Sequence, residues 1–163
     1  MIFFTIGTHE PFDRMVRAVD SWAAASGADI LGQIPEGTGG SYRPRHFRSV
    51  SMLTPDAYAK CVRTADFVVA HAGTGSIISA LQHGRPILIM PRRGHLMETR
   101  NDHQFATAMR MRNTPGVTVA MDETELPLLL DRLRREATPP GQISRWAEPQ
   151  LIDAVRRFIH EKA

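Results

Sequence analysis

Six short apolar runs, separated by stretches of helical period or by glycine-rich turns, constrain the fold of this chain more than any other feature. The first, residues 1–7 (MIFFTIG), is apolar without the alternation of a half-exposed strand, which predicts a strand buried on both faces of a parallel sheet. Phe12, Met15, Val16, Val19, Trp22 and Ala23 then recur at i, i+3, i+4, i+7 spacing, the apolar stripe of a helix that Pro11 opens and Gly27 ends. Further strands are expected at 28–34, 47–53, 66–70, 86–90 and 116–120. Residues 35–44 (PEGTGGSYRP) predict an exposed, mobile loop. Thr54 and Pro55 form the N-cap and first position of a helix reaching about residue 63. A helix follows the turn at 71–76 (HAGTGS) and ends near Gly84, and another spans about 98–111. Asp122 and Glu125 make a capping-box-like pair before a helix carrying Leu126, Leu129, Leu130 and Leu133. This alternation predicts βαβ units with right-handed crossovers: an α/β, Rossmann-like parallel sheet flanked by helices.

With 163 residues and 42% hydrophobic content, one domain spanning 1–163 is expected. No apolar run approaches the ~20 residues of a membrane span. The start of the chain lacks the charged, apolar and small-residue regions of a leader, so neither a secreted nor an integral membrane protein is expected. The single cysteine, Cys61, fits a reducing compartment and reads as a small buried hydrophobe. Twenty Lys and Arg against 17 Asp and Glu leave a net charge of +3, scattered rather than gathered in a basic tail, which argues against nucleic acid as a partner.

In doubly wound sheets ligands bind beyond the carboxyl ends of the strands, so the loops beginning at Gly7, His71 and Pro91 carry the candidate site. In HAGTGS, Gly73 and Gly75 admit close backbone approach, Thr74 and Ser76 supply hydroxyls, and the helix that follows presents amides and a positive dipole end suited to phosphate. The same turn also reads as a tight strand-to-helix connection that binds nothing. Two other phosphate motifs are excluded: the dinucleotide fingerprint needs glycine where Ile78 stands, and no G-x-x-x-x-G-K-[ST] string exists. Gly7 and Thr8, with His9 and Glu10, repeat the logic on the first strand, or simply begin a helix with polar residues. In the third segment Asp102, His103 and Gln104 suit sugar hydroxyls and Arg92 or Arg93 suits phosphate, unless the segment is only a solvated loop. Dispersed histidines, no HExxH and no Cys/His cluster leave no metal site to expect. A G-x-S-x-G elbow is absent.

Taken together, Gly-Thr after the first strand, PFDRMV, ADFVVAHAGTGSIISAL, GRPILIMPRR and DHQ resemble the C-terminal half of family 28 glycosyltransferases, in particular stand-alone subunits of the Alg13/PssE type. The resemblance implies the donor-binding half of a GT-B enzyme. Gly7, Thr8, Gly73, Thr74, Gly75 and Ser76 would face the diphosphate and ribose of a UDP-sugar, and Asp102, His103 and Gln104 the donor sugar. It also implies an inverting transfer of N-acetylglucosamine or glucuronic acid to a lipid-linked saccharide in polysaccharide (exopolysaccharide) synthesis. No cofactor is implied beyond the UDP-sugar co-substrate. The acceptor would arrive through a membrane-anchored Alg14/PssD-like subunit that holds a polyprenyl-linked substrate, with this chain cytoplasmic and peripheral at the inner face of the membrane. The catalytic base lies on that partner or is supplied by His9 or His71. Ser79 stands where a related cell-wall enzyme has an acidic ribose contact, and Phe105 where it has glutamine, so a non-catalytic scaffold is the alternative. A terminal helix within 144–163, presenting Trp146, Leu151, Val155, Phe158 and Ile159, either packs on the domain's own sheet or docks the partner.

Overall fold

The computed structural model describes residues 1–8, 10–35, 42–136, 141, 143–144 and 146–160. The elements follow in the order β1 (Ile2–Thr5), α1 (Asp13–Ser26), β2 (Ile30–Gln33), β3 (Arg48–Val50), α2 (Pro55–Thr64), β4 (Val68–His71), α3 (Thr74–Gln82), β5 (Ile87–Met90), a 3-10 turn (Gly94–Leu96), α4 (His103–Met111), β6 (Val117–Val119), α5 (Leu126–Arg135) and α6 (Pro149–His160). The sheet runs β3-β2-β1-β4-β5-β6 and every pairing is parallel. The chain winds outward from β1 to β3 and then returns to β4 on the other side of β1. The switch point therefore lies between β1 and β4, where Thr5 pairs with Ala70.

Covering both faces of the sheet explains the unbroken apolar strands. Phe4 and Ile6 join a core with Met15, Val16 and Val19 of α1 and Leu126 and Leu130 of α5. Phe3 points the other way, into a core with Val62 of α2, Ile77 and Leu81 of α3 and Ala108 of α4. Cys61 packs, half-buried, against this second core. Trp22 donates its indole N–H to Asp131 (2.9 Å), which fastens α1 to α5. The Thr54 hydroxyl accepts from the Ala57 amide at 3.3 Å, the N-cap expected of it.

Several boundaries differ from the sequence expectation. Helix α1 begins at Asp13, not at Pro11, because Phe12 adopts a non-helical conformation (φ −144°, ψ 56°) that drives its ring into the first core. The helix expected from about residue 98 starts only at His103, since Glu98 is bonded to Arg14 and Asp102 to the Gly94 amide, as described below. Residues 36–41 of the glycine-rich loop lie outside the described residues. Its far end is pinned on α1 by buried Asp20, which accepts from the Tyr42 hydroxyl (2.7 Å) and the amides of Arg45 (3.0 Å) and His46 (2.8 Å). Burial alone would raise the Asp20 pKa, but these hydrogen bonds outweigh it and hold the carboxyl below its usual range. Helix α6 does not pack on the sheet: it buries none of its residues, and Leu151, Ile152, Val155, Phe158 and Ile159 all lie exposed along it.

Candidate functional site

A cleft of about 650 Å3 opens at the carboxyl ends of β1, β4 and β5. A similar cavity of about 600 Å3 lies at the amino ends, among Met1, Asp29, Asp66 and Arg85. Doubly wound sheets take their ligands at the carboxyl ends, which favours the first.

The β4–α3 turn supplies one wall. Gly73 is the N-cap of α3, and among the described residues no side chain caps that helix, so its first amides and positive dipole end are open to an outside acceptor. A Cβ placed on Gly75 would meet nothing within 4 Å: the space in front of the turn is open. Ser76 is buried beside it and accepts a hydrogen bond from the Tyr58 hydroxyl (3.4 Å).

His71 is wedged behind this wall. Its ring lies so close to both neighbouring loops that a Cβ on Gly7 would come within 3.0 Å of Cε1 and one on Gly73 within 2.2 Å of Nε2. Gly7 also has φ +86°, a conformation that other residues rarely adopt. The two glycines thus exist around one imidazole. Its Nδ1 is buried with no hydrogen-bond partner among the described residues. Burial, with Arg92 and then His103 nearby, pushes the His71 pKa down from 6.5 to about 4, so the ring is neutral at neutral pH.

Arg92 forms the floor. It is 3% exposed, and its Nη2 donates to the carbonyls of Ile6 (2.7 Å) and Glu10 (2.5 Å). Its guanidinium also lies 4.9 Å from the Phe12 ring centroid, and Nε is buried without a hydrogen-bond partner among the described residues. Burial pulls its pKa below the ordinary arginine range. A buried cation bonded to carbonyls rather than carboxylates keeps its charge available to an incoming anion.

The opposite wall is the β5–α4 segment, where Thr99, Arg100, Asn101, His103 and Gln104 line the cleft. Arg14 holds this segment. Its Nε and Nη2 fork onto the Glu98 carboxylate, both at 2.8 Å, and its Nη1 reaches Glu123 at 2.6 Å. The hydrogen bond to Glu98 is the main cause raising the Arg14 pKa above its usual value. Glu98 also accepts from the Arg93 amide (2.9 Å), and buried Gln104 accepts from the Arg92 amide (3.1 Å).

Of the residues singled out in the sequence, Gly7, Thr8, His71, Gly75, Ser76, Arg92, His103 and Gln104 converge on the cleft. Gly73 and Thr74 shape the turn beneath it. Two others are placed elsewhere. Arg93 donates to the Met121 carbonyl (2.9 Å) and stacks over Phe105, away from the cleft. Asp102 turns back to accept from the Gly94 amide at 2.9 Å. His9 lies outside the described residues. The Arg14–Glu98 clamp and the lining roles of Thr99, Arg100 and Asn101 were not singled out. Only the polar density of 92–104 hinted at them. Among the described residues no group of three His, Cys, Asp or Glu could hold a metal ion.

Residues 1–140 match the glycosyltransferase family 28 C-terminal domain. The chain belongs to this family. The mouse (Mus musculus) UDP-N-acetylglucosamine transferase subunit ALG13 is 28% identical over 120 residues, covering 67% of this chain and 10% of that protein. The family 28 fold is shared with an NMR solution structure of ALG13 at TM-score 0.61 and 18% identity, over 96% of this chain and 93% of that one. The crystal structure of the glycotransferase of kitacinnamycin superposes at TM-score 0.60 and 16% identity, over 83% of this chain and 35% of that one. This family 28 chain thus spans a tenth of the mouse relative and about a third of the kitacinnamycin enzyme. The parallel Rossmann-like sheet and the family resemblance seen in the sequence both hold. The matched region ends before α6.

Proposed function

We propose that this chain is the donor-binding half of an inverting, UDP-sugar-dependent glycosyltransferase that works with a second, membrane-anchored Alg14/PssD-like polypeptide. The uncapped amino end of α3, facing open space at Gly75 and sharing one cleft with buried Arg92, carries the reading. Charge gathers on the diphosphate as the sugar departs, and fixed amides, a helix dipole and a buried cation lower the cost of that charge without having to reorganise. They act in place of a cofactor or metal. Neutral His71 stands at the same end and orients the diphosphate with its wedged ring. Thr8 borders the diphosphate from the β1 side, and His103 and Gln104 address the donor sugar.

The sugar passes to a lipid-linked saccharide in exopolysaccharide synthesis, with N-acetylglucosamine or glucuronic acid as the group moved. A GT-B site lies between two such domains, and this chain supplies one; the exposed apolar face of α6 is where the partner docks. The partner brings the chain to the cytoplasmic face of the membrane. Among the described residues, no helix is long and apolar enough to cross a membrane.

Gly75→Asp tests the reading. An acidic residue in the first turn of a helix is mildly stabilising, while its carboxylate repels a diphosphate. The reconstituted complex should keep its melting temperature and lose about 100-fold or more in transfer, with saturable UDP binding abolished in calorimetric titration. Unchanged transfer would remove the diphosphate from this cleft, and a wild-type complex without saturable UDP binding would make the chain a scaffold.

A further inference from the structure

The cleft does not end at the diphosphate seat. It adjoins a side cavity of about 260 Å3 walled by Pro11, Gly94, Met97 and Glu98. Glu10, Thr99 and Arg100 belong to the walls of both spaces, whereas His71, Gly75 and Ser76 border the main cleft alone. Glu10 therefore lines both spaces, whereas the amino end of α3 lines only one.

Inversion requires the acceptor oxygen and the departing diphosphate to lie on opposite faces of the sugar, and the group that takes the acceptor's proton lies on the acceptor's side. With the diphosphate on α3, the side cavity is the acceptor's approach. Among the described residues lining the main cleft, Glu10 is the single carboxylate. The side cavity contributes one more, Glu98, but Arg14 grips both of its oxygens. Among the described residues two imidazoles line the cleft, and neither is well placed. His71 is wedged at the diphosphate end, and His103 has its Nδ1 against the Asn101 side chain. The backbone of Glu10 is braced, since its carbonyl accepts from the Arg92 Nη2 that also holds Ile6. Pro11 follows it and restricts its backbone to extended conformations.

We infer that Glu10 is the general base of the transfer. Its carboxylate takes the acceptor hydroxyl proton as the oxygen bonds to C1. The bond from C1 to the diphosphate breaks, its electron pair leaves on UDP, and the proton passes from Glu10 to water. UDP-sugar and alcohol thus become glycoside, UDP and one proton. The inference rests on the reading of the cleft as a UDP-sugar site and goes beyond it by assigning the base to this chain rather than to its partner.

The test uses membranes from source cells in which Glu10→Gln, Glu10→Ala or Gly75→Asp replaces the native chain. Transfer from radiolabelled UDP-N-acetylglucosamine and UDP-glucuronate to endogenous lipid is measured. Glu10→Gln should lower kcat by about 10²–10⁴-fold and leave KM for the UDP-sugar within threefold of wild type. Azide needs no deprotonation, so it should restore sugar release in Glu10→Ala as glycosyl azide, in proportion to its concentration, and have no such effect on wild type. Near-normal kcat in Glu10→Gln overturns the assignment, as does a loss confined to KM or an absence of azide rescue. If Gly75→Asp abolishes transfer and Glu10→Gln does not, only the base is misassigned. If Gly75→Asp transfers normally, the diphosphate reading itself fails and Glu10 falls with it.

Discussion

On the β1 and β4 side the cleft is walled by backbone, whereas on the β5–α4 side it is walled by side chains. The first wall is two glycine loops pressed against one imidazole: a Cβ on Gly73 would overlap the His71 ring, and Gly7, with φ +86° and the ring 3.0 Å away, leaves little room for one. The second is a polar segment, of whose lining residues only His103 and Gln104 lie in regular structure. Arg14, reaching from α1, fixes it through Glu98. The contrast matches the chemistry proposed for each wall. A diphosphate is the same in every nucleotide sugar and suits a rigid seat of amides, while sugars and acceptors vary and suit side chains that substitution can exchange.

Adding bulk to the backbone wall is the most severe way to break the comparison. Gly73→Ala places a methyl group 2.2 Å from His71 Nε2, so the ring or the turn must shift, and should cost roughly 3 kcal/mol in urea unfolding together with UDP binding. Next comes pH. An unfolded histidine protonates near 6.5, but folded His71 waits until about 4, so acid favours the unfolded chain. Stability should be flat above about pH 7 and fall by about 3 kcal/mol as pH drops from 6.5 to 4, with that slope flattened in His71→Gln, as urea midpoints across the range would show. The side-chain wall should yield differently. Arg14→Ala leaves Glu98 half-buried without its partner and should cost roughly 2 kcal/mol and raise KM for the UDP-sugar severalfold more than the Kd for UDP itself. Thr54→Ala, at an N-cap remote from both walls, should cost only about 1 kcal/mol and alter no kinetic constant.

The backbone wall was also the legible one. A strand apolar at both parities announces a sheet covered on both faces, and HAGTGS announces a tight turn into a helix, because each signal is local. The Arg14–Glu98 pair joins positions 84 residues apart, and nothing local marks it. For the same reason residues 98–102, polar enough to continue a helix, stay outside α4: the Glu98 side chain belongs to α1, and Asp102 bonds back to Gly94. The adjacent arginines were partly decipherable. In extended backbone successive side chains point to opposite sides, and so Arg92 enters the cleft floor while Arg93 runs toward Met121. The stripe on α6 was plain in the spacing of Leu151, Val155 and Phe158, but a periodicity names a sticky face and not what covers it.

The Phe12 ring, displaced from the start of α1, has the Arg14 guanidinium 5.5 Å and the Arg92 guanidinium 4.9 Å from its centroid. One aromatic plate therefore leans on the cation that anchors the variable wall and on the cation beneath the constant one. Changes at Arg14 and Arg92 will not sum as independent losses, because each redistributes the pull on the shared ring. Any retuning of sugar preference through the α1 clamp will register, through Phe12, in how firmly the phosphates are gripped.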